Sequence, residues 1–326
     1  METNKIEKLK KCNICPHNCK VNRLEGQKGF CNCTGDRIKY SLSSIHYFEE
    51  PCISGTIYEN GKIVKKINNG SGTIFFTNCN LKCIYCQNYE ISSGGNGKEI
   101  TIEELADIMI DLQNKNANNI NLVTPTMYAY HIIEAIKIAK GKGLIIPIIY
   151  NCGGYEKIET LKELEPYIDV YLPDFKYYSN EISKKYSYID DYFKYASNAI
   201  KEMIRQKGEA KFDKNGIIQQ GVIIRHMVLP NHILNSKHIL KWIKENLPEE
   251  TSISVMAQYF PTKIIKEKCK DKNREENKIE LINRKLTKNE FKEIEEYMSL
   301  LDFKNGYIQE LGEHEEEYVP DFSQNK

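Results

Sequence analysis

The chain has no excess of charge of either sign. Across its 326 residues, 46 Lys and Arg stand against 45 Asp and Glu, a formal net charge of +1. Without a net field, it lacks the electrostatic footprint of a nucleic-acid binder or of a protein drawn to an anionic membrane surface. Any apolar run approaching the roughly 18 residues needed to cross a bilayer is missing. The opening METNKIEKLKK is charged and has no apolar core of the kind a signal peptide carries. No internal repeat is visible. These absences set the expectation of a soluble, cytoplasmic protein with no membrane partner, long enough to bury a substantial core.

Cysteine is what the chain has in excess. There are eleven, and all but Cys152 and Cys269 lie at or before Cys86. An odd count without a secretory signal argues against a disulfide scaffold, and grouped cysteines in a reducing compartment point to metal.

The text changes character near residue 72. Residues 1–71 are cysteine-rich and turn-rich, and TIYENGKIVKKI (56–67) reads as a hairpin about Asn60-Gly61. From 72 to 310, β-type runs alternate with helical patterns. The runs are TIFFT (73–77), INLVT (120–124), LIIPIIY (144–150), IDVYLP (168–173), GVIIRHMVL (221–229) and SISVMA (252–257). Helical spacing covers 101–113, opened by a Thr101/Glu104 capping box, and then 128–140, 190–205 and 236–246. The alternation predicts an α/β fold with a parallel sheet buried on both faces and curled by right-handed crossovers into an open or closed barrel. KIIKEKCKDKNREENKIE reads as a solvated insertion or linker. A helix over 287–302 and a short strand at Tyr307–Ile308 follow, and residues 311–326 read as an acidic surface tail.

Directly after the first core strand stands CNLKCIYC. Cys79, Cys83 and Cys86 are spaced i, i+4, i+7, and an ideal helix would put them on one face as a buried stripe. The polar residues between and beside them, Asn78, Asn80, Lys82, Gln87 and Asn88, argue against that reading. Structural zinc takes four ligands, and a triplet does not complete the set. Three thiolates suit an iron–sulfur cube with one iron left open, whereas electron carriers close all four positions. CxxxCxxC with Tyr85 before the last cysteine is the signature of the radical S-adenosylmethionine (SAM) enzymes. The wider text resembles the uncharacterised radical proteins related to pyruvate formate-lyase activating enzyme. CNICPHNCKVNRLEGQKGFC, GSGTIFFTNCNLKCIYCQNYEIS, NLVTPTMY, IPIIYNCGGYE, VYLPDFKY, IRHMVLPN and VMAQYFP carry that likeness over most of 12–261.

The resemblance implies a partial TIM barrel, a (β/α)6-like radical SAM core behind a cysteine-rich N-terminal extension. It implies a [4Fe–4S] cluster on Cys79, Cys83 and Cys86, with S-adenosylmethionine chelating the fourth iron and cleaved reductively to methionine and a 5′-deoxyadenosyl radical. A reductant such as flavodoxin or ferredoxin in an anaerobic cytosol, and a protein substrate bearing a target glycine, follow from the same likeness. Cofactor contacts are expected from Tyr85, from Thr124 and Thr126 (in place of the Gly-Gly-Glu of relatives, with Pro125 as a plain strand terminator the alternative), and from Asn151 (or a turn residue there). Asp174 and Lys176 of PDFK are expected at the methionine moiety, against a surface ion pair. Arg225, inside a β-branched run, must reach a carboxylate of the cofactor or of the protein, while His226 faces the other way as a structural residue. Asn231 stands where relatives carry Gly. Gln258 and Tyr259 are read as lining the adenine pocket or the substrate entrance.

Cys12, Cys15, Cys19 and Cys31, with Cys33 beside them, read as a metal knuckle, either a zinc site or an auxiliary iron–sulfur cluster. HYFEEPCISG (46–55), with His46, Glu49, Glu50 and Cys52, reads as a loop or edge element near the barrel mouth and has no assigned role. The competing functional class is a non-catalytic iron–sulfur electron carrier or a zinc-ordered binding module.

Overall fold

Each apolar run read as a core strand is one. This computed structural model describes residues 5–35, 37–59, 62–270 and 279–309. Its strands are β1 (Ile38–His46), β2 (Thr56–Glu59), β3 (Lys62–Lys66), β4 (Ser71–Phe76), β5 (Lys98–Ile100), β6 (Ile120–Val123), β7 (Ile148–Cys152), β8 (Val170–Pro173), β9 (Lys211–Phe212), β10 (Ile218–Met227), β11 (Ser252–Met256) and β12 (Gly306–Gln309). The helices are α1 (Pro51–Ser54), α2 (Tyr89–Ser92), α3 (Ile102–Asn114), α4 (Ala129–Gly141), α5 (Ile158–Leu164), α6 (Asn180–Ser187), α7 (Tyr192–Lys207), α8 (Ile233–Asn246), α9 (Lys263–Lys270) and α10 (Lys288–Leu301).

The main sheet runs β12-β11-β10-β8-β7-β6-β4-β1-β5, with β9 paired to β10 off this path. From β4 through β12 every neighbouring pair on the path is parallel. β4, β6, β7, β8, β10, β11 and β12 lie side by side in chain order, with helices in the connections, as a (β/α) barrel requires. Among the described residues β5 and β12 do not pair, so the ring is open: the fold is a partial TIM barrel. All six residues of β4 are buried, as are all of β8 and β11, the pattern of a sheet covered on both sides.

Local chemistry sets the helix starts. Thr101 Oγ1 accepts from the Glu104 amide while Glu104 accepts from the Thr101 amide, and α3 then buries Leu105, Ala106, Met109 and Leu112 on one stripe. Thr287 and Glu290 repeat the device at α10. The stretch read as a linker after 262 folds in its described part as α9, with Ile265 buried against the core; residues 271–278 lie outside the described residues, as does the acidic tail 311–326. The hairpin is present as β2 against β3, with its turn outside the described residues. Among the described residues no helix is long and apolar enough to cross a membrane.

The N-terminal segment packs on the barrel. Leu9, Ile14 and Cys33 belong to the same apolar cluster as Tyr130 and Leu161, and β1 pairs antiparallel with β4.

Candidate active site

Residues 77–88 form a loop of turns and bends, and regular helix begins only at α2. The helical-stripe reading of the cysteine triplet therefore fails: β4 ends at Phe76, the chain passes Asn78 in a left-handed conformation (φ 67°), and the thiols are presented from irregular backbone. Cys79, Cys83 and Cys86 line one cavity at the C-terminal ends of the parallel strands, where barrel chemistry gathers because the strand termini surround one small volume. Each sulfur accepts a hydrogen bond from the chain: Leu81 N to Cys79 (3.3 Å), Ser187 Oγ to Cys83 (2.8 Å) and Ser92 Oγ to Cys86 (3.2 Å). Burial pushes the Cys79 and Cys86 thiols up, and neighbouring Cys83 raises both further, while Lys176 works the other way. Three part-buried thiols lining one cavity beside an ammonium are a donor set for a cationic cluster, which would take all three as thiolates. The residues fit the group.

Tyr85, Thr124, Asn151, Asp174, Lys176, Arg225 and Gln258 line the same cavity. Thr124 follows β6 in a left-handed conformation (φ 58°), and its amide donates to Asn151 O at 2.9 Å, tying the ends of β6 and β7 together. A β-branched residue there is strained by about 1–2 kcal/mol. Thr126 is a correction: it is buried in the turn after Pro125, and its hydroxyl donates to Glu156 Oε1 at 2.6 Å, away from the cavity. Asn151 is the penultimate residue of β7 rather than part of a turn. The turn is made by Gly153 and Gly154. At Gly154 (φ 78°) an added Cβ would run into Asp174 O, so only glycine lets this loop lie against the PDFK strand end. Gln258 lines the cavity and its carbonyl accepts from Gln87 Nε2 at 3.0 Å, whereas Tyr259 is fully buried and donates to Ile282 O.

Asp174 and Lys176 are paired at 2.5 Å with both side chains mostly covered, so the surface ion-pair reading fails. Burial alone would lower the Lys176 pKa; Asp174 and the Cys83 and Cys86 thiols outweigh it and hold the ammonium above its ordinary value. Arg225 turns inward, and the carboxylates it meets are the protein's own: Glu49 at 3.1 Å, Glu50 at 3.5 Å and Asp174 at 3.9 Å. His226, next along β10, faces the opposite side. Its Nδ1 lies 2.7 Å from Phe175 O and its Nε2 2.8 Å from Ser236 Oγ, and burial brings its pKa down to about 4, so the ring is neutral.

Glu49 went unassigned in the sequence. It lines the cavity, accepting from Asn121 Nδ2 (3.0 Å) as well as from Arg225. Its segment is pinned to the start of β6: Asn119 Nδ2 donates to Ile53 O (2.8 Å) and Asn118 Nδ2 to Ser54 O (2.9 Å). The only sequence signal was two carboxylates beside each other in a turn-rich stretch.

Residues 73–243, just over half of the chain, match the Radical SAM superfamily. The chain belongs to the radical SAM superfamily. Membership implies a [4Fe–4S] cluster and S-adenosylmethionine, and makes the protein an enzyme of that class. Among relatives, the uncharacterised protein MJ0674 of Methanocaldococcus jannaschii is 31% identical over 310 residues, covering 91% of this chain and 76% of the relative. The uncharacterised protein MJ0808 of the same organism is 26% identical over 174 residues, covering 50% of this chain and 48% of the relative. Among solved structures, Streptococcus suis SuiB bound to precursor peptide SuiA aligns with a TM-score of 0.47 at 13% identity over 73% of this chain and 48% of SuiB. Methylornithine synthase (PylB) aligns with a TM-score of 0.44 at 17% identity over 70% of this chain and 63% of PylB. This radical SAM chain thus spans about half the length of SuiB and of MJ0808.

The second cysteine group lies apart from this cavity. Cys12, Cys15, Cys19 and Cys31 line a small cavity of their own. Among the described residues, no three or more His, Cys, Asp or Glu side chains converge tightly enough for a single metal ion, in either cysteine group.

Proposed function

We propose that this enzyme binds its [4Fe–4S] cluster through Cys79, Cys83 and Cys86 and uses S-adenosylmethionine to abstract hydrogen from a substrate. The supporting observation is the set of three thiols, each accepting a hydrogen bond, in one cavity at the strand C-termini. When bound, the reduced cluster supplies one electron to S-adenosylmethionine, releasing methionine and a 5′-deoxyadenosyl radical. The chain's own residues bind and orient. Hydrogen bonds from Leu81, Ser187 and Ser92 to the sulfurs orient the ligands and tune the centre's potential. Lys176 spends one of its three donors on Asp174 and faces the thiols, which suits the cofactor's carboxylate. Glu49 and Asp174 present acceptors to the cofactor's ammonium and ribose hydroxyls, and Arg225 holds both carboxylates in place. Phe75, Leu81, Tyr85 and Met256 are the buried apolar part of the cavity wall, which would shield the radical from solvent on that side.

The likeness to pyruvate formate-lyase activating enzyme makes a protein glycine the first substrate class to test, and a flavodoxin or ferredoxin the first reductant. The deciding experiment is anaerobic reconstitution followed by dithionite and S-adenosylmethionine. Wild type is expected to form 5′-deoxyadenosine and Cys83→Ala to form none. A wild-type protein whose Cys79/Cys83/Cys86 cluster is loaded by spectroscopy but yields no 5′-deoxyadenosine refutes the proposal.

A further inference from the structure

The N-terminal cysteine segment carries a feature that its thiols alone do not explain. Arg23 lines the same small cavity as Cys12, Cys15, Cys19 and Cys31, and its side chain is 1% exposed. One guanidinium nitrogen, Nη1, donates to Met127 O at 2.7 Å, while Nε and Nη2 have no hydrogen-bond partner. A buried cation with unsatisfied donors is costly unless negative charge sits against it. No carboxylate pairs with Arg23 among the described residues; the cavity it lines is walled by Cys12, Cys15, Cys19 and Cys31, and its guanidinium lies 6.0 Å from the centre of the Tyr128 ring. Neutral thiols do not balance a guanidinium. Thiolates do, and four thiolates on a divalent zinc or on a [4Fe–4S]2+ cube leave two negative charges.

The backbone around these cysteines is bent as a metal knuckle requires. Asn18, Lys20 and Asn32 all have left-handed φ (48°, 59° and 60°), and the Phe30 amide points to Cys19 Sγ at 3.5 Å. Gly29 leaves room over that sulfur, since an added Cβ would sit 2.8 Å from it.

We propose that Cys12, Cys15, Cys19 and Cys31 form a second metal centre, a closed tetrathiolate whose negative charge buried Arg23 offsets in part, and that it braces the loop carrying Cys79. Four protein thiols leave no open coordination position, so this centre orders structure rather than binding substrate. The link to the loop is direct: His17 Nε2 lies 2.9 Å from Asn80 O, next to Cys79, and Lys82 stacks over the Phe30 ring. Among the described residues the four sulfurs do not meet at one point. A cysteine reaches convergence by turning one side-chain torsion, and a cube holds its thiolates wider apart than a single zinc does.

The proposal rests on the extension's residues alone, so its test begins where the first cluster is removed. The Cys79→Ala/Cys83→Ala/Cys86→Ala variant, grown with iron and zinc and purified anaerobically, is expected to retain about one zinc, or about four iron with four sulfide, per chain. Zinc identifies a single-ion site and iron with sulfide a cluster; either supports the proposal. A folded variant with less than about a tenth of a metal centre overturns it. Adding Cys15→Ser and Cys19→Ser must abolish the remaining metal, and retention overturns the ligand set. Should the triple variant fail to fold, Cys15→Ser/Cys19→Ser in the otherwise intact chain decides. A loss of one zinc or about four iron supports the proposal, and unchanged metal content overturns it. Arg23→Met is expected to weaken retention at least ~10-fold in chelator competition; unchanged retention removes Arg23 from the site.

Discussion

Glu156 shows at the scale of one residue what burial does. Its carboxyl is 1% exposed, accepts from Thr126 Oγ1 and Tyr150 OH, and is pushed up from 4.5 to about 8 by burial, which those hydrogen bonds only partly oppose. The folded protein therefore keeps a proton that the unfolded chain releases above about 4.5. The stability from this group is present in full below that value and is lost as pH rises through about 8. His226 has the opposite sign: its folded pKa of about 4 lies below 6.5, so its contribution is present above 6.5 and fades as pH falls toward 4. Comparing wild type with Glu156→Gln cancels His226. The stability difference between the two proteins, from urea unfolding, should shift against wild type by roughly 3 kcal/mol between pH 5 and pH 8. A constant difference would mean Glu156 titrates normally. Arg225 makes a related point about legibility. A guanidinium in a β-branched run announces that it needs a carboxylate, but not which one. Glu49 is 176 residues away in sequence, and no local pattern encodes that pairing.

Elements were legible where local chemistry is self-sufficient. The Thr101–Glu104 and Thr287–Glu290 boxes satisfy orphan helix amides within one turn, so their positions could be read directly. Thr101→Ala removes one acceptor at an exposed helix start and is expected to cost about 1 kcal/mol in chemical denaturation without changing the cluster spectrum. A cost near zero would show that packing of Leu105 and Met109, not the cap, holds the start of α3. Elements that depend on a partner were missed. β1 carries three serines in nine residues and is a strand because β4 and β5 flank it. α5 has only seven residues and is held by burial of Leu161 and Leu164. α6 is largely polar, but it places Ser187 against Cys83. The cysteine loop is the reverse case. Its spacing is regular enough to mimic a helix face, yet the chain there is irregular, with Asn78 left-handed and the thiols held by the Leu81 amide of the loop, by Ser92 just beyond it and by distant Ser187.

At the scale of the whole molecule, the extension and the barrel share one apolar cluster, and Thr160 Oγ1 donates to Ile14 O at 2.6 Å across their contact. We propose that the division near residue 71 marks a change in composition rather than a break in cooperativity. The intact protein should then unfold in one thermal transition. Deleting residues 1–35 strips Leu9 and Ile14 from Tyr130 and Leu161 and should lower the midpoint by roughly 10 °C or more, as burial of each large apolar side chain contributes about 1.5–3 kcal/mol. Two separate transitions, or an unchanged midpoint, would make the extension an independent unit. The sequence by itself determined the alternating strands and helices, the cysteine spacing and the Gly153-Gly154 turn, because hydrophobic period, caps and backbone freedom act over a few residues. Only the tertiary structure decided that Thr126 faces Glu156 while Thr124 faces the cavity, that Glu49 answers Arg225, and that Arg23 lies buried among thiols. Those outcomes depend on which distant segments exclude water from one another, and that is a property of the packed sheet rather than of any stretch of chain.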